Sequence, residues 1–440
     1  MAGAALLTLM LTLLSACVSD FGRGPAPSRM PEQPGIATQP PPGGPQVGEI
    51  VPLTPPHMAG RAPIRIALLL PLSAAQPAAR ETAEGMLNAA QLALFDFNNP
   101  DLLLIPKDTA GRPEQAAAVA ADALREGADL ILGPLLGPSV QAVAPLARAQ
   151  GVPVIAFSTD VSVAGNGVYL LSFLPTQDVE RIVDYAVLQN ITVFAGLIPD
   201  GEYGARVTDA FRSAIQNRGV TLYGIETYPP VAEMMFDPAR RLALYDERHY
   251  ALRSSAGDAD GEGKKNSNPP LSNVPYQAVF LPDGGTQLKS IAPLLPYFDV
   301  DPRNVRFLGT GLWDDPALGR EPSLVGGWFA APAPEAHAAF AARFQRLFGA
   351  APPRISSLAY DAVALAAALA REAPAHETPA TRFSAQTLTN SDGFAGVDGV
   401  FRFLANGQNE RGLAVMEMRP SGPQVIDPAP TSFQRVAPPS

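Results

Sequence analysis

A regular alternation constrains this chain more than any other feature: short apolar runs are followed by longer segments that are apolar along one helical face. Ile64–Leu70 (IRIALLL) is a near-continuous apolar run, the pattern of a strand buried on both faces of a parallel sheet. Across 81–97, Ala83, Leu87, Ala90 and Leu94 repeat at helical spacing. The same pair of signals recurs: strands at 102–105, 130–132 and 152–156, and helices at 113–126 and 139–149. Further on come strand 191–198, helix 203–217 and strand 220–226, then strand 277–281, helix 286–297 and strand 305–308. Thr176 can cap a helix whose first turn holds Asp178 and Glu180, favourable against the helix dipole. Helices near 335–348 and 356–372 follow, and strands 397–404 and 411–418 read as a terminal hairpin about Asn406-Gly407. Repeated βα units imply parallel sheets with helices on both faces. The units are too many for one compact sheet, so two lobes of about six strands each are expected.

Residues 1–62 do not follow this pattern. Residues 4–14 (AALLTLMLTLL) are uncharged and too short to span a bilayer core of about 30 Å, but suit the apolar region of an export signal. Met1-Ala2-Gly3 lacks the Lys or Arg usual there, which reads as a basic segment lying upstream. Leu14-Ser15-Ala16-Cys17 resembles the bacterial lipobox, in which the cysteine sulfur receives diacylglycerol. The resemblance implies cleavage after residue 16 and lipidation of Cys17. Val18, where an Asp marks inner-membrane retention, points to the periplasmic face of the outer membrane. Cys17 is the only cysteine, so no intramolecular disulfide can form. Residues 17–62 hold 11 prolines without apolar periodicity and read as a disordered tether. As a coil it would average about 35–40 Å, and fully extended about 140 Å. Residues 254–275 read as a disordered, solvated insertion. Asp258, Asp260, Glu262 and Gly263 sit at calcium-loop spacing, but Pro269 stands where that loop needs a bidentate Glu. Residues 428–440 read as a flexible tail.

Composition excludes several functions. The net charge of −10 without a basic stripe argues against nucleic-acid binding. The four histidines are far apart, so no metal site is expected. No GxSxG, SxxK, HExxH or Walker pattern is present, so neither an enzyme nor a cofactor is expected.

Several segments together carry a family likeness. Ile64–Ser73, Gly85, Asp108, Leu132-Gly133-Pro134, Gly151–Ile155 and Tyr203-Gly204 resemble the type I periplasmic binding proteins for branched-chain amino acids, the leucine-binding-like superfamily. The resemblance covers roughly 63–420 and implies a two-lobed α/β fold with three crossovers. Lobe one is expected at 63–173 and 311–395, lobe two at 174–310 and 396–427. A small ligand would lie between them, at loops following the carboxyl ends of strands. Candidate cleft residues are Ser158, Thr159, Asp160, Gly133, Leu135, Gly137, Tyr203, Asp283, Gly311 and Trp313. Ser158-Thr159-Asp160 reads equally as a plain turn, Asp283 as a helix cap, and Trp313 as hinge packing. In amino-acid binders a hydroxyl holds the ligand carboxylate and an acid in lobe two takes its ammonium. Here Gly137 and Asp160 fall at the hydroxyl positions and Gly311 at the acid. Each lost contact would cost about 1.5–3 kcal/mol, so leucine, isoleucine and valine are expected not to bind, and no nearby cation offers itself to their carboxylate.

A narrower group fits other segments better. Gly133–Leu136, Ser172–Pro175 leading to Asp178-Val179-Glu180, Ile198-Pro199-Asp200, Gly309–Asp315, Gly326–Phe329, Ser357–Ala362 and Gly393–Gly399 resemble the carboxyl domain of penicillin-binding-protein activator lipoproteins. That likeness implies a non-catalytic regulator of peptidoglycan synthesis in the cell wall, acting on a penicillin-binding protein. The alternative is a solute-binding protein for branched-chain amino acids or a related small ligand in an ABC transporter.

Overall fold

The structure, a computed structural model, describes residues 55, 58, 63–257, 271–372 and 379–433. Cys17, the signal segment, the calcium-like residues of the insertion and all of the tether except Pro55 and Met58 lie outside them.

The first lobe begins as a run of βα units. They are β1 (Ile64–Leu70), α1 (Pro77–Phe97), β2 (Leu102–Asp108), α2 (Pro113–Arg125), β3 (Leu130–Leu132), α3 (Gly137–Ala149), β4 (Val154–Ala156) and β5 (Val168–Leu170). The five strands form a parallel sheet in the order β2-β1-β3-β4-β5. Strand alternation explains why β1 is apolar nearly throughout. Ile64, Ile66, Leu68 and Leu70 face a core that includes Ala83, Met86 and Ala90 of α1. Ala67 and Leu69 face the opposite core, with Ala116 and Ala120 of α2 and Val140 and Val143 of α3.

The second lobe comprises α4 (Pro175–Leu188), β6 (Val193–Pro199), α5 (Glu202–Asn217), β7 (Thr221–Tyr228), α6 (Phe236–Leu242), α7 (Tyr245–Gly257), β8 (Ala278–Phe280), α8 (Gly285–Ile291), α9 (Leu294–Tyr297), β9 (Arg306–Gly309) and β10 (Trp328–Ala331). Thr176 does not cap α4, because Pro175 occupies its first position and Leu174 precedes it. Pro293 separates α8 from α9 where one helix was expected. The chain then returns to lobe one with α10 (Pro334–Phe348) and α11 (Ser356–Glu372), the latter packed against α1 through Leu358, Ala362, Val363 and Ala366. Three short strands follow, β11 (Phe394–Gly396), β12 (Gly399–Phe403) and β13 (Asn409–Arg411), and then β14 (Ala414–Arg419) and β15 (Gly422–Asp427). Lobe two's sheet runs β15-β14-β10-β9-β8-β6-β7, with β14 antiparallel to both neighbours.

The lobe boundaries therefore move. Residues 311–333 belong to lobe two rather than lobe one, because β10 pairs in parallel with β9 and antiparallel with β14. Residues 396–411 leave lobe two, since β12 pairs with β11 and β13 while Phe401 and Phe403 enter the lobe-one core. The expected 397–404/411–418 hairpin is thus split, its second half pairing with β10 and β15. The three crossovers fall at 171–174, 332–333 and 412–413. The insertion narrows too: α7 runs to Gly257, Ser272 accepts a bond from Arg248 Nε at 2.7 Å, and Val274 is buried. Of the expected tail, Phe433 lies under Arg402, 4.6 Å from the guanidinium to the ring centre.

Candidate functional site

The carboxyl ends of parallel strands from both lobes converge on one cavity of about 490 Å³. Lobe one contributes Leu135 and Leu136 after β3, Phe157 and Thr159 after β4, and Arg354, Ile355 and Leu358 at the start of α11. Lobe two contributes Asp178, Tyr203, Thr310, Gly311, Leu312 and Asp314, and the first crossover contributes Phe173. Strand ends bring these loops together because each parallel strand delivers its following loop to the same edge of the sheet. The wall is mostly apolar and aromatic with a few polar groups, the usual make-up of a small-molecule site.

Of the residues read as cleft candidates, Leu135, Thr159, Tyr203 and Gly311 line this cavity. The others sit elsewhere. Asp160 turns back on its own loop, where its carboxylate accepts from Ser162 N and Oγ at 3.0 and 2.7 Å. Ser158 is buried and its Oγ accepts from Asp160 N. Gly137 begins α3, and a Cβ there would meet the Asp160 carboxylate at 2.9 Å. Gly133 turns the chain after β3 with φ of 90° against the Leu69 carbonyl, which no side chain would tolerate. Asp283 accepts from Tyr228 Oη at 2.8 Å and from Gly284 N. Trp313 is fully buried in lobe two, its Nε1 donating to Leu281 O at 3.1 Å. Gly309 and Gly327 are glycines because a Cβ on either would run into that indole.

Two charged residues missed in the sequence dominate the electrostatics. Asp178, half-buried in the first turn of α4, accepts from Gly311 N at 2.9 Å through Oδ2. Among the described residues its Oδ1 has no hydrogen-bond partner. Desolvation pushes its pKa up to about 7, against the Gly311 bond and the Arg354 charge. Arg354 stands opposite, on lobe one, with its guanidinium 4.6 Å above the Phe173 ring. Its Nη2 is 2.9 Å from Asp398 Oδ1, and His337 Nδ1 is 3.3 Å from the same oxygen. Burial alone would raise the Asp398 pKa, but the His337 bond, the Arg354 and Arg411 charges and the Ser357 hydroxyl outweigh it and hold the carboxyl well below its usual range. Tyr203 Oη and Thr310 Oγ1 are 3.2 Å apart on the cavity wall. The sequence signal for Asp178 was its place just after a crossover. Arg354, in Pro352-Pro353-Arg354, gave none.

Two lobes of α/β structure, three crossovers and a cavity between strand ends define a two-lobed binding-protein fold. The family described as periplasmic binding protein matches residues 63–423, and the chain belongs to it. Its fold is similar to several solved structures. One is a putative branched-chain amino acid ABC transporter protein from Rhodospirillum rubrum, with TM-score 0.67 and 19% identity, covering 83% of this chain and 100% of that one. A solute binding protein of Rhodopseudomonas palustris in complex with 3,4-dihydroxybenzoic acid gives 0.54 and 17%, covering 84% and 97%. The substrate binding protein of a branched-chain amino acid transporter from Streptococcus pneumoniae, in complex with isoleucine, gives 0.52 and 17%, covering 83% and 100%. No curated protein matches the sequence. Among the described residues no helix is long and apolar enough to cross a membrane.

Proposed function

We propose that the protein is a periplasmic solute-binding lipoprotein, tethered through Cys17, that takes a small, largely apolar ligand between its lobes. The cavity carries this reading: an apolar wall with a few convergent polar groups is what such a ligand needs. A branched-chain amino acid or a related small molecule fits that description. The expectation that these amino acids would not bind rested on Gly137, Asp160 and Gly311, and Gly137 sits at the start of α3 outside the cavity wall. Asp160 is turned away and Thr159 supplies a hydroxyl in its place, while Asp178 supplies a carboxylate beside Gly311. Calorimetry of the full chain against aliphatic and aromatic amino acids tests the reading. A saturable heat with a dissociation constant in the micromolar range is expected. No binding across the panel, together with no thermal stabilisation, would overturn it.

A second reading is a regulator of penicillin-binding proteins in cell-wall synthesis, and the grouping of its motifs favours it. Gly309–Asp315 and Gly326–Phe329 meet at Trp313, and Ser357–Ala362 meets Gly393–Gly399, with Val397 N donating to Asp361 Oδ1 at 2.7 Å. The segments that resemble the activators thus build the ground around the crossovers. A pull-down from solubilised membranes separates the readings: a permease supports the first, a peptidoglycan synthase the second.

A further inference from the structure

Arg354 lines the cleft, yet its setting is a buried cluster of ionic groups in lobe one. Asp398 has no exposed side-chain surface, and it carries Arg354 on one oxygen and Ser357 on the other. Beneath it, Arg411 donates to the Asp398 carbonyl at 3.3 Å and lies 3.8 Å from Asp361 Oδ2, with both side chains 1% exposed. The ring of Phe173 has both guanidiniums against it, at 4.6 and 5.1 Å. Arginine stays charged in proteins, whereas burial pushes Asp361 up to about 7. Arg354 and Arg411 therefore share Asp398 and Asp361, and His337 Nδ1 stands 3.3 Å from both Arg354 Nη1 and Asp398 Oδ1. Arg411 is sealed in, whereas the Arg354 side chain is 38% exposed and lines the cavity, so Arg354 is the member of the cluster that a ligand can reach.

We propose that Arg354 is the anion receptor of the cleft and that the ligand carries an acid group, a carboxylate, which it meets on lobe one while any cationic group meets Asp178 on lobe two. This rests on the solute-binding reading and goes beyond it by naming the residue and the ligand chemistry. A guanidinium held on an aromatic ring and a fixed carboxylate is already oriented, so little entropy is lost when it takes a second acid. Asp314 lines the same cavity, where burial raises its pKa and the Arg354 charge opposes that rise. A dipolar ligand would then join the lobes through its own two charges.

Calorimetry of the full chain at neutral pH tests this with leucine, with 4-methylpentanoate, which lacks the ammonium, and with isopentylamine, which lacks the acid. Leucine and 4-methylpentanoate should bind, and Arg354→Met should weaken both by about tenfold or more, with isopentylamine spared. Arg354→Lys should recover part of the loss. Equal loss of all three ligands, with a lowered melting temperature, would mean that Arg354 only supports the fold. Isopentylamine bound as tightly as leucine would overturn the proposal and leave the solute-binding reading standing. No heat from any of the three would overturn this proposal, while a longer amino-acid panel would still decide the other.

Discussion

At the scale of single residues, Asp178 makes stability depend on pH. Its carboxyl has an ordinary value of 3.8 and sits at about 7 in the fold, with Gly311 N, Arg354 and Tyr203 as its polar surroundings. The folded state therefore holds a proton that the unfolded state has released, so stability falls as pH rises between the two values and levels off above the higher one. Asp361 contributes with the same sign. Asp398, whose value is depressed, acts only in acid, where its stabilisation is lost as pH falls. Melting temperature should drop between about pH 4 and about pH 7, and Asp178→Asn should reduce that drop by a few degrees. Asn still offers an oxygen to Gly311 N, so a purely structural role would leave the profile unchanged. A second test concerns Gly204, where a Cβ would overlap the Pro199 carbonyl. Gly204→Ala should cost about 1–3 kcal/mol in chemical denaturation, because the obstruction is backbone.

At the scale of elements, much of the lobe order was legible and the lobe boundaries were not. Continuous apolar runs such as Ile64–Leu70 declare a buried strand whatever surrounds them. β10 is four residues, Trp328–Ala331, behind two glycines, and shows no period. Its place beside β14 follows from pairing of residues such as Ala331 with Ala414 and Trp328 with Glu417, far apart in the chain, which local pattern does not encode. The edge of the insertion is similar. Residues 271–275 look solvated in sequence, yet Val274 lies in the lobe-two core. Val274→Ala should lower unfolding free energy by about 1–2 kcal/mol, measured in urea. An unchanged midpoint would show that this segment does not pack.

At the scale of the molecule, three crossovers leave hinge bending as the motion open to the lobes. Ligand should shift the population toward a closed form in proportion to its preference for it. Small-angle scattering should show a smaller radius of gyration with a bound amino acid than without. Identical profiles at saturation would mean that the cavity binds without closing. Cys17→Ala should move the protein from the membrane to the soluble fraction with the fold intact. Recovery of the variant in salt-washed membranes would count against the lipid anchor.

The sequence by itself determined the α/β class, the repeated units and the two-lobed plan, because those depend on side-chain period and apolar run length, which are local. It also marked Leu135, Thr159, Tyr203 and Gly311, which follow or neighbour strand ends that could be read directly. The tertiary structure alone decided which charges face the cleft. Asp178 and Arg354 are 176 positions apart and arrive on opposite walls only after the chain has crossed between lobes twice. Asp160 and Trp313 looked as suitable and were drawn off by a turn of their own and by an indole-sized space in lobe two. Charge placement in a cleft is a property of the packed loops, and no single stretch of sequence carries it.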